Sequence, residues 1–330
     1  MPFKFLKNVI LITGLMLLAL PAWATKVSME TATPNSVVGL LPQTMAPYWN
    51  KAGIDVELAT GQTLTKSLLK IGQGNLDSAV IPPSAYTGLL AGKGAYSRLG
   101  AEAGGKMAGN VRALFGFSSS LYHPIVWADS GIENWADLKG KKIYIGPPAG
   151  AANAQIKALL ETAAGLEDGR DYEGIKAPWG VAVQGFRDGQ YDLVFSPQPL
   201  GSQVLTELSL SREIRILSLP ADTRPPAGLG LITSVIPPDT YSGQVNKDEP
   251  VTVWVTVMML AVNKDMAEET AYTLTKTYFD NLDTAHKANG LLKTVTAEQR
   301  FDGVAAPLHP GAVRYYQEQD IEVPAALLAE

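Results

Sequence analysis

Residues of the types that do chemistry are scattered along the 330-residue chain in patterns that do not assemble a known reaction centre. The three histidines, His123, His286 and His309, lack the close spacing that places two metal ligands on one helical face. The chain has no cysteine, which excludes thiolate metal sites and a disulfide framework. Ser118-Ser119-Ser120 lacks the flanking glycines that expose a nucleophile at a strand-to-helix elbow. In Gly88-Leu-Leu-Ala-Gly92-Lys93 three residues separate the glycines where a phosphate loop has four, and no Ser or Thr follows the lysine to meet magnesium. Neighbouring acids such as Glu268-Glu269 read as a solvated helix face. Together these point away from an enzyme, with no catalytic residue, metal or cofactor expected.

Binding chemistry is better represented, in polar or small-residue segments where a strand hands over to a helix. Gly146-Pro-Pro-Ala149-Gly150-Ala151-Ala152-Asn153 would let a ligand approach backbone N–H groups at a helix N-terminus, which suits a carboxylate or phosphate. A plain strand-to-helix turn is the alternative reading of the same residues. Thr31-Ala-Thr33-Pro-Asn35-Ser36 and Thr60-Gly-Gln62-Thr63 offer hydroxyls and amides that either cap the next helix or reach a ligand. Tyr86, Tyr122 and Trp179 lie near strand or crossover ends and could form apolar walls with polar tips, core packing being the alternative. Ser84 and Gln198 complete the expected contact set.

The elements that must position these loops alternate between strand and helix periods, as in an α/β fold with helices on both sheet faces. Strands are expected over 27–32, 54–58 and 76–81, with helices over 36–50 and 63–71. Pro42 and Pro47 should make the first helix irregular. After Phe117 the pattern restarts, with strands over 124–128, 143–146 and 191–195 and helices over 151–164 and 181–187. An echo links the two units: Gly74-Asn-Leu-Asp77 runs into Ser-Ala-Val-Ile-Pro82, and Gly189-Gln-Tyr-Asp192 into Leu-Val-Phe-Ser-Pro197. Each proline is expected to end its strand at the carboxyl edge, where α/β sheets place ligand crevices. The tail should carry a buried strand over 251–262 and helices over 267–281 and 311–319. The expected organisation is a leader over 1–24, the first part of lobe 1 over 25–117, lobe 2 with crossover segments over 118–230, and a return to lobe 1 over 231–330. Crossings are expected near 117–124 and 217–231.

Lys4 and Lys7, an apolar stretch over 9–20 and Ala22-Trp-Ala24 have the order of a secretory signal peptide, so cleavage after Ala24 and a periplasmic location are expected. That stretch is 12 residues long, short of the roughly 20 that span a bilayer. Without Lys4 and Lys7 the chain has 25 basic against 32 acidic residues, a balance that disfavours nucleic acid. The remaining 306 residues exceed what one hydrophobic core usually organises, which points to two lobes.

The chain resembles the TAXI family, the solute receptors of one branch of the tripartite ATP-independent periplasmic (TRAP) transporters. The similarity is carried by Asp129-Ser-Gly-Ile132 with Asp137-Leu-Lys-Gly-Lys141, by Gly146-Pro-Pro-Ala-Gly150, by Gly189-Gln-Tyr-Asp192 and by Ile236-Pro-Pro-Asp-Thr-Tyr241-Ser-Gly-Gln244. The most particular block is Pro307-Leu-His-Pro-Gly-Ala-Val-Arg-Tyr-Tyr-Gln-Glu318. The resemblance implies a type II periplasmic-binding-protein fold, two α/β lobes with a central cleft and two crossover hinge strands. It also implies a receptor that closes on a small organic anion, carboxylate or amino-acid-like, and delivers it to TRAP membrane subunits; a sensory module would use the same fold and site, and a monomer is expected. The departure is in the first loop, where the family's glycine-rich G-T-G-x-x-G-G-x-Y is replaced by Thr31-Ala-Thr-Pro-Asn-Ser-Val-Val38. His123 stands where many relatives carry an acid.

Overall fold

The structure is a computed structural model that describes residues 24–148 and 152–329. The leader and Ala149, Gly150 and Ala151 of the small-residue loop therefore lie outside the described residues, apart from Ala24. The elements in chain order are β1 (Thr25–Glu30), α1 (Val37–Lys51), β2 (Ile54–Ala59), α2 (Leu64–Gly72), β3 (Ser78–Ile81), α3 (Pro83–Leu90), α4 (Gly100–Ala108) and β4 (Val111–Trp127). They continue with β5 (Lys142–Tyr144), α5 (Ala152–Ala164), β6 (Glu173–Ile175), α6 (Trp179–Arg187), β7 (Leu193–Gln198), α7 (Gln203–Ser211) and β8 (Ile214–Ile216). Last come β9 (Leu231–Ile236), β10 (Val251–Asn263), α8 (Glu268–Ala288) and α9 (Pro310–Glu318).

Among the described residues ten strands join one sheet in the order β2-β1-β3-β10-β4-β7-β5-β6, with β8 on β4 and β9 on β10. Two long strands, β4 and β10, run antiparallel through its middle and belong to both halves. The core divides accordingly. Residues up to Phe117 and from Met258 onward form one apolar cluster. Residues between Leu121 and Val255 form two more, one on each face of the second sheet segment, with α5 in one and α6 and α7 in the other. The molecule is thus two α/β lobes joined by two crossover strands.

The strand registers aim the lobes at each other. β3 pairs Ile81 with Met259 and Ser78 with Val262, so its carboxyl end points toward the crossover, and β1 and β2 run parallel to it. In the second lobe β7 pairs Gln198 with Leu121 and Val194 with Ile125, and β5 and β6 run parallel to β7. The carboxyl ends of both parallel sets therefore face one another across the crossover, and that is where α/β sheets place ligand crevices.

Local chemistry explains several departures from the sequence pattern. α1 is continuous over 15 residues despite Pro42 and Pro47. Pro42 has no N–H for the carbonyl of Val38, and the Thr31 hydroxyl donates to that carbonyl instead at 2.6 Å. β4 is one strand of 17 residues where the sequence suggested only a strand over 124–128. Gly116, the serine run and Pro124 break its apolar pattern for a reason at Gly116: a Cβ there would meet Val304 Cγ2 at 2.9 Å and the Asp302 carbonyl at 3.0 Å. The residues over 217–231 stay with the second lobe, Leu217, Leu219 and Leu231 packing around Trp254. The return to the first lobe runs instead along β10, whose β-branched run is long enough to pair in both lobes.

The repeated Gly-x-x-Asp motif also has a structural basis. Asp77 accepts from the Ser28 backbone N–H at 2.8 Å, and Asp192 accepts from the Lys142 N–H at 2.8 Å. Each carboxylate thus binds the adjacent parallel strand just before its own strand begins. Gly74 and Gly189 supply the left-handed turns that precede them, at φ +73 and +71. Pro82 ends β3, whereas Pro197 lies inside β7, one residue before its end.

Candidate functional site

The first lobe contributes three strand-to-helix segments to the cleft. After β1, Thr33 and Asn35 are exposed, while Ser36 caps α1 by accepting from the Gly39 N–H at 3.2 Å. Thr31 is fully buried and committed to α1. After β2, Gln62 donates to the Thr60 carbonyl at 3.0 Å, and Thr63 is the N-cap residue of α2 without a capping side-chain bond. After β3, Pro82 precedes α3 and offers no cap, and Ser84 is half-buried in the first turn. Tyr86 belongs to the lobe core rather than the rim, at 6% exposure.

In the second lobe, Gly146 is buried with φ +93, a conformation that turns the chain out of β5. The Asn153 amide donates to the carbonyls of Ile145 and, at 3.0 Å, Pro147. Its role is to clamp the loop back on the start of α5, with Ala152 half-buried at the first position of the helix. Trp179 begins α6 behind Pro178, is 38% exposed and meets Tyr144 edge-on at 5.6 Å. Gln198 ends β7 and accepts from Ser202 at 3.1 Å. Tyr122 lies inside this lobe, where burial pushes its phenol well above the usual range and its hydroxyl donates to Gln155 at 2.7 Å.

The structure thus places Thr33, Asn35, Ser36, Thr60, Gln62, Thr63 and Ser84 at strand ends of one lobe, opposite Gly146, Ala152, Asn153, Trp179 and Gln198 of the other. Between them lies a floor that sequence reasoning missed. The register of β4 against β10 shifts between Val255 and Val257, so Ser119 and Ser120 together oppose the single Thr256. The Ser120 N–H donates to the Thr256 hydroxyl at 3.1 Å, and that hydroxyl lies 3.2 Å from both the Ser120 carbonyl and Ser119 Oγ. Hydroxyls replace ladder bonds at the point where the chain passes between lobes. A serine run facing a threonine in an apolar strand was the available signal.

Gln155 was missed as well. It accepts from Tyr122 and donates to the Leu229 carbonyl at 2.7 Å, tying residues 225–230 to α5. A cavity of about 410 Å³ lies against that segment, with Pro83 and Thr87 of α3 and Gly303 to Ala305 on the first-lobe side.

The histidines are each held by protein partners. His123 is fully buried, with Nδ1 at 2.9 Å from the Leu121 carbonyl and 3.1 Å from the Ser196 carbonyl. Two carbonyl neighbours make Nδ1 the protonated nitrogen, so Nε2 accepts from the Tyr241 hydroxyl at 3.0 Å. Burial pushes the imidazole down to about 4, so it is neutral and brings no charge to a ligand. His309 caps α9, accepting from the Gly311 N–H at 3.2 Å. His286 donates to the Val295 carbonyl at 2.7 Å. Among the described residues no cluster of three or more acids and histidines is placed to hold a metal ion.

Two α/β lobes on antiparallel crossover strands, with facing strand ends, define the fold of the periplasmic solute-binding proteins. The chain belongs to the NMT1-like family, whose model matches residues 69–319. Among solved structures it is similar to the periplasmic aliphatic sulphonate binding protein SsuA from Escherichia coli, with a TM-score of 0.52 and 13% identity over 92% of this chain and 96% of that one. A putative sulfonate-binding SsuA from Methylobacillus flagellatus KT gives 0.52 and 13% over 92% and 80%. A TRAP periplasmic solute binding protein from Rhodobacter sphaeroides gives 0.47 and 15% over 81% of each chain. At such identities the likeness is one of fold. Among the described residues no helix is long and apolar enough to cross a membrane.

Proposed function

We propose that this protein is an extracytoplasmic solute receptor that closes its lobes on a small organic anion, a carboxylate or amino-acid-like solute, and performs no reaction on it. The observation that carries the reading is the facing of two sets of strand ends whose following helices have free first turns. α2, α3, α6 and α7 start behind Thr63, Pro82, Pro178 and Ser202, none of which caps its helix through a side chain. Pro82, Pro83 and Pro178 have no N–H and the Tyr241 hydroxyl faces the Gly201 and Ser202 N–H groups ahead of α7, but the N–H groups that remain in these first turns take no capping side chain and carry partial positive charge, so they suit an anion without a lysine or arginine. A helix terminus contributes only about 0.3 to 2 kcal/mol through its dipole, so hydrogen bonds and burial must supply most of the roughly 8 kcal/mol of micromolar binding.

The membrane partner in this reading is a TRAP-type secondary transporter. Its support is the set of TAXI-like segments, above all Pro307 to Glu318, which forms the turn into α9 and α9 itself. Removal of the leader after Ala24 would deliver the chain to the periplasm as a monomer. The test of the site is Gly180→Asp, which places a carboxylate in the first turn of α6, where an added Cβ meets nothing within 4 Å. Calorimetry against an acid that the wild-type protein retains should show affinity at least tenfold weaker with the fold intact by circular dichroism. Equal affinity in the folded variant would place the anion elsewhere.

A further inference from the structure

We propose that the cavity between α3 and residues 225–232 receives an uncharged, apolar part of the solute, so that the preferred ligand is an amphiphilic acid with an aliphatic or aromatic tail rather than a compact polar anion. The inference rests on the receptor reading above and adds a second subsite to it. The cavity measures about 410 Å³ and touches both lobes, Pro83 and Thr87 on one side and Pro226, Leu231 and Ile232 on the other. Among the described residues lining it, none carries a charge, and the one hydroxyl side chain, Thr87, donates to the Ser84 carbonyl at 3.1 Å. A charged group placed there would meet no side chain of opposite charge, whereas a methylene chain would gain from leaving water against the proline, leucine and isoleucine side chains.

The space exists because the residues around it are small. Ala227, Gly228, Gly230, Gly303 and Ala305 present a methyl or nothing, and a Cβ on Gly230 would already stand 3.5 Å from Pro83. Its second-lobe wall is held in position. Gln155 on α5 donates to the Leu229 carbonyl and accepts from Tyr122, and the Gly230 carbonyl accepts from the Val257 N–H at 3.0 Å as β9 begins. The wall is therefore fixed to the helix that follows the Gly146 turn, while Pro83 and Thr87 belong to the first lobe. A tail in the cavity would contact both lobes at once and favour their approach.

The test is a calorimetric series of straight-chain monocarboxylates from acetate to decanoate, with the matching alcohols, on wild-type protein, Ala305→Leu and Ala227→Leu. Ala305 is half-buried and Ala227 is exposed in its loop, so at least the second variant should keep its fold. Carboxylate affinity should rise by about fourfold for each methylene that enters, the equivalent of roughly 0.8 kcal/mol. Either leucine should stop that rise at shorter chains and leave the shortest acid that binds unchanged. Carboxylates that bind with no dependence on length would overturn the tail subsite and keep the anion reading. Alcohols that bind with length dependence while carboxylates do not would support the cavity and overturn the anion reading. Absence of binding in both series would overturn the inference.

Discussion

At the scale of single residues, several side chains that looked available for a ligand turn out to complete the backbone. Thr31 is the clearest case. In sequence it is a hydroxyl at the mouth of a strand-to-helix loop; in the structure it serves the carbonyl that Pro42 leaves without a partner. Thr31→Val should cost about 1–3 kcal/mol, the usual penalty for stranding a buried acceptor, read as a lower denaturation midpoint. Adding Pro42→Ala should restore part of the loss, since the new N–H can reach Val38; no recovery would mean that the hydroxyl acts some other way. Nothing in the sequence pairs Thr31 with Val38 except the proline four residues after the latter, so this role was legible only once a helix through Pro42 was granted. Glu30 gives a pH-dependent prediction. Burial alone would raise its carboxyl, but hydrogen bonds from Lys70 and Ser67 and the Lys70 charge outweigh that and hold it below its ordinary value. A lowered carboxylate stabilises the fold above its unfolded value and loses that contribution as pH falls through the folded one. Between about pH 5 and 3, wild-type protein should therefore lose more stability than Glu30→Gln in parallel urea titrations. Equal losses would show that the pair with Lys70, which is 45% exposed, is screened to insignificance.

At the scale of elements, the sequence was most readable where periodicity was clean. The helix over 37–51 and the strand over 251–263 came out close to expectation because one has a capping serine and the other an unbroken apolar run rich in β-branched residues. β4 was harder. Glycine, three serines and a proline mask a 17-residue strand, because the residues that cross between lobes do not bury alternate faces against one core. The same residues form the bulge opposite Thr256, where side-chain hydroxyls hold two strands that the ladder has released. Thr256→Val keeps the shape and removes those bonds. It should lower stability by about 1–3 kcal/mol and speed hydrogen exchange at the Ser120 amide selectively. Uniform exchange changes across both lobes, or none at Ser120, would show that the bulge is held by packing alone. The small-residue loop after β5 was legible as a turn with an approachable backbone, but the clamp by Asn153 was not, since its partners are carbonyls eight and six residues back, across the loop.

At the scale of the whole molecule, alternating strand and helix patterns and a chain too long for one core were enough to read two α/β lobes. The cleft followed from the rule that such sheets bind at their carboxyl edges. The sequence did not reveal the cavity beside residues 225–232, because that segment looks like an ordinary Pro/Gly connection until Gln155 is seen to hold it. The floor left only a partial signal, the serine run and Thr256, because its hydroxyls meet only when β4 and β10 are paired. The central claim, that these lobes capture an organic anion and leave it unchanged, is tested most directly by retention. Purified protein would be incubated with a pool of organic acids, freed of unbound solute, weighed intact by native mass spectrometry, then denatured so that the released compound can be identified. The account predicts one organic anion per chain, recovered chemically unaltered. Recovery of a converted product, retention of cations alone, or a chain that carries nothing away would contradict it.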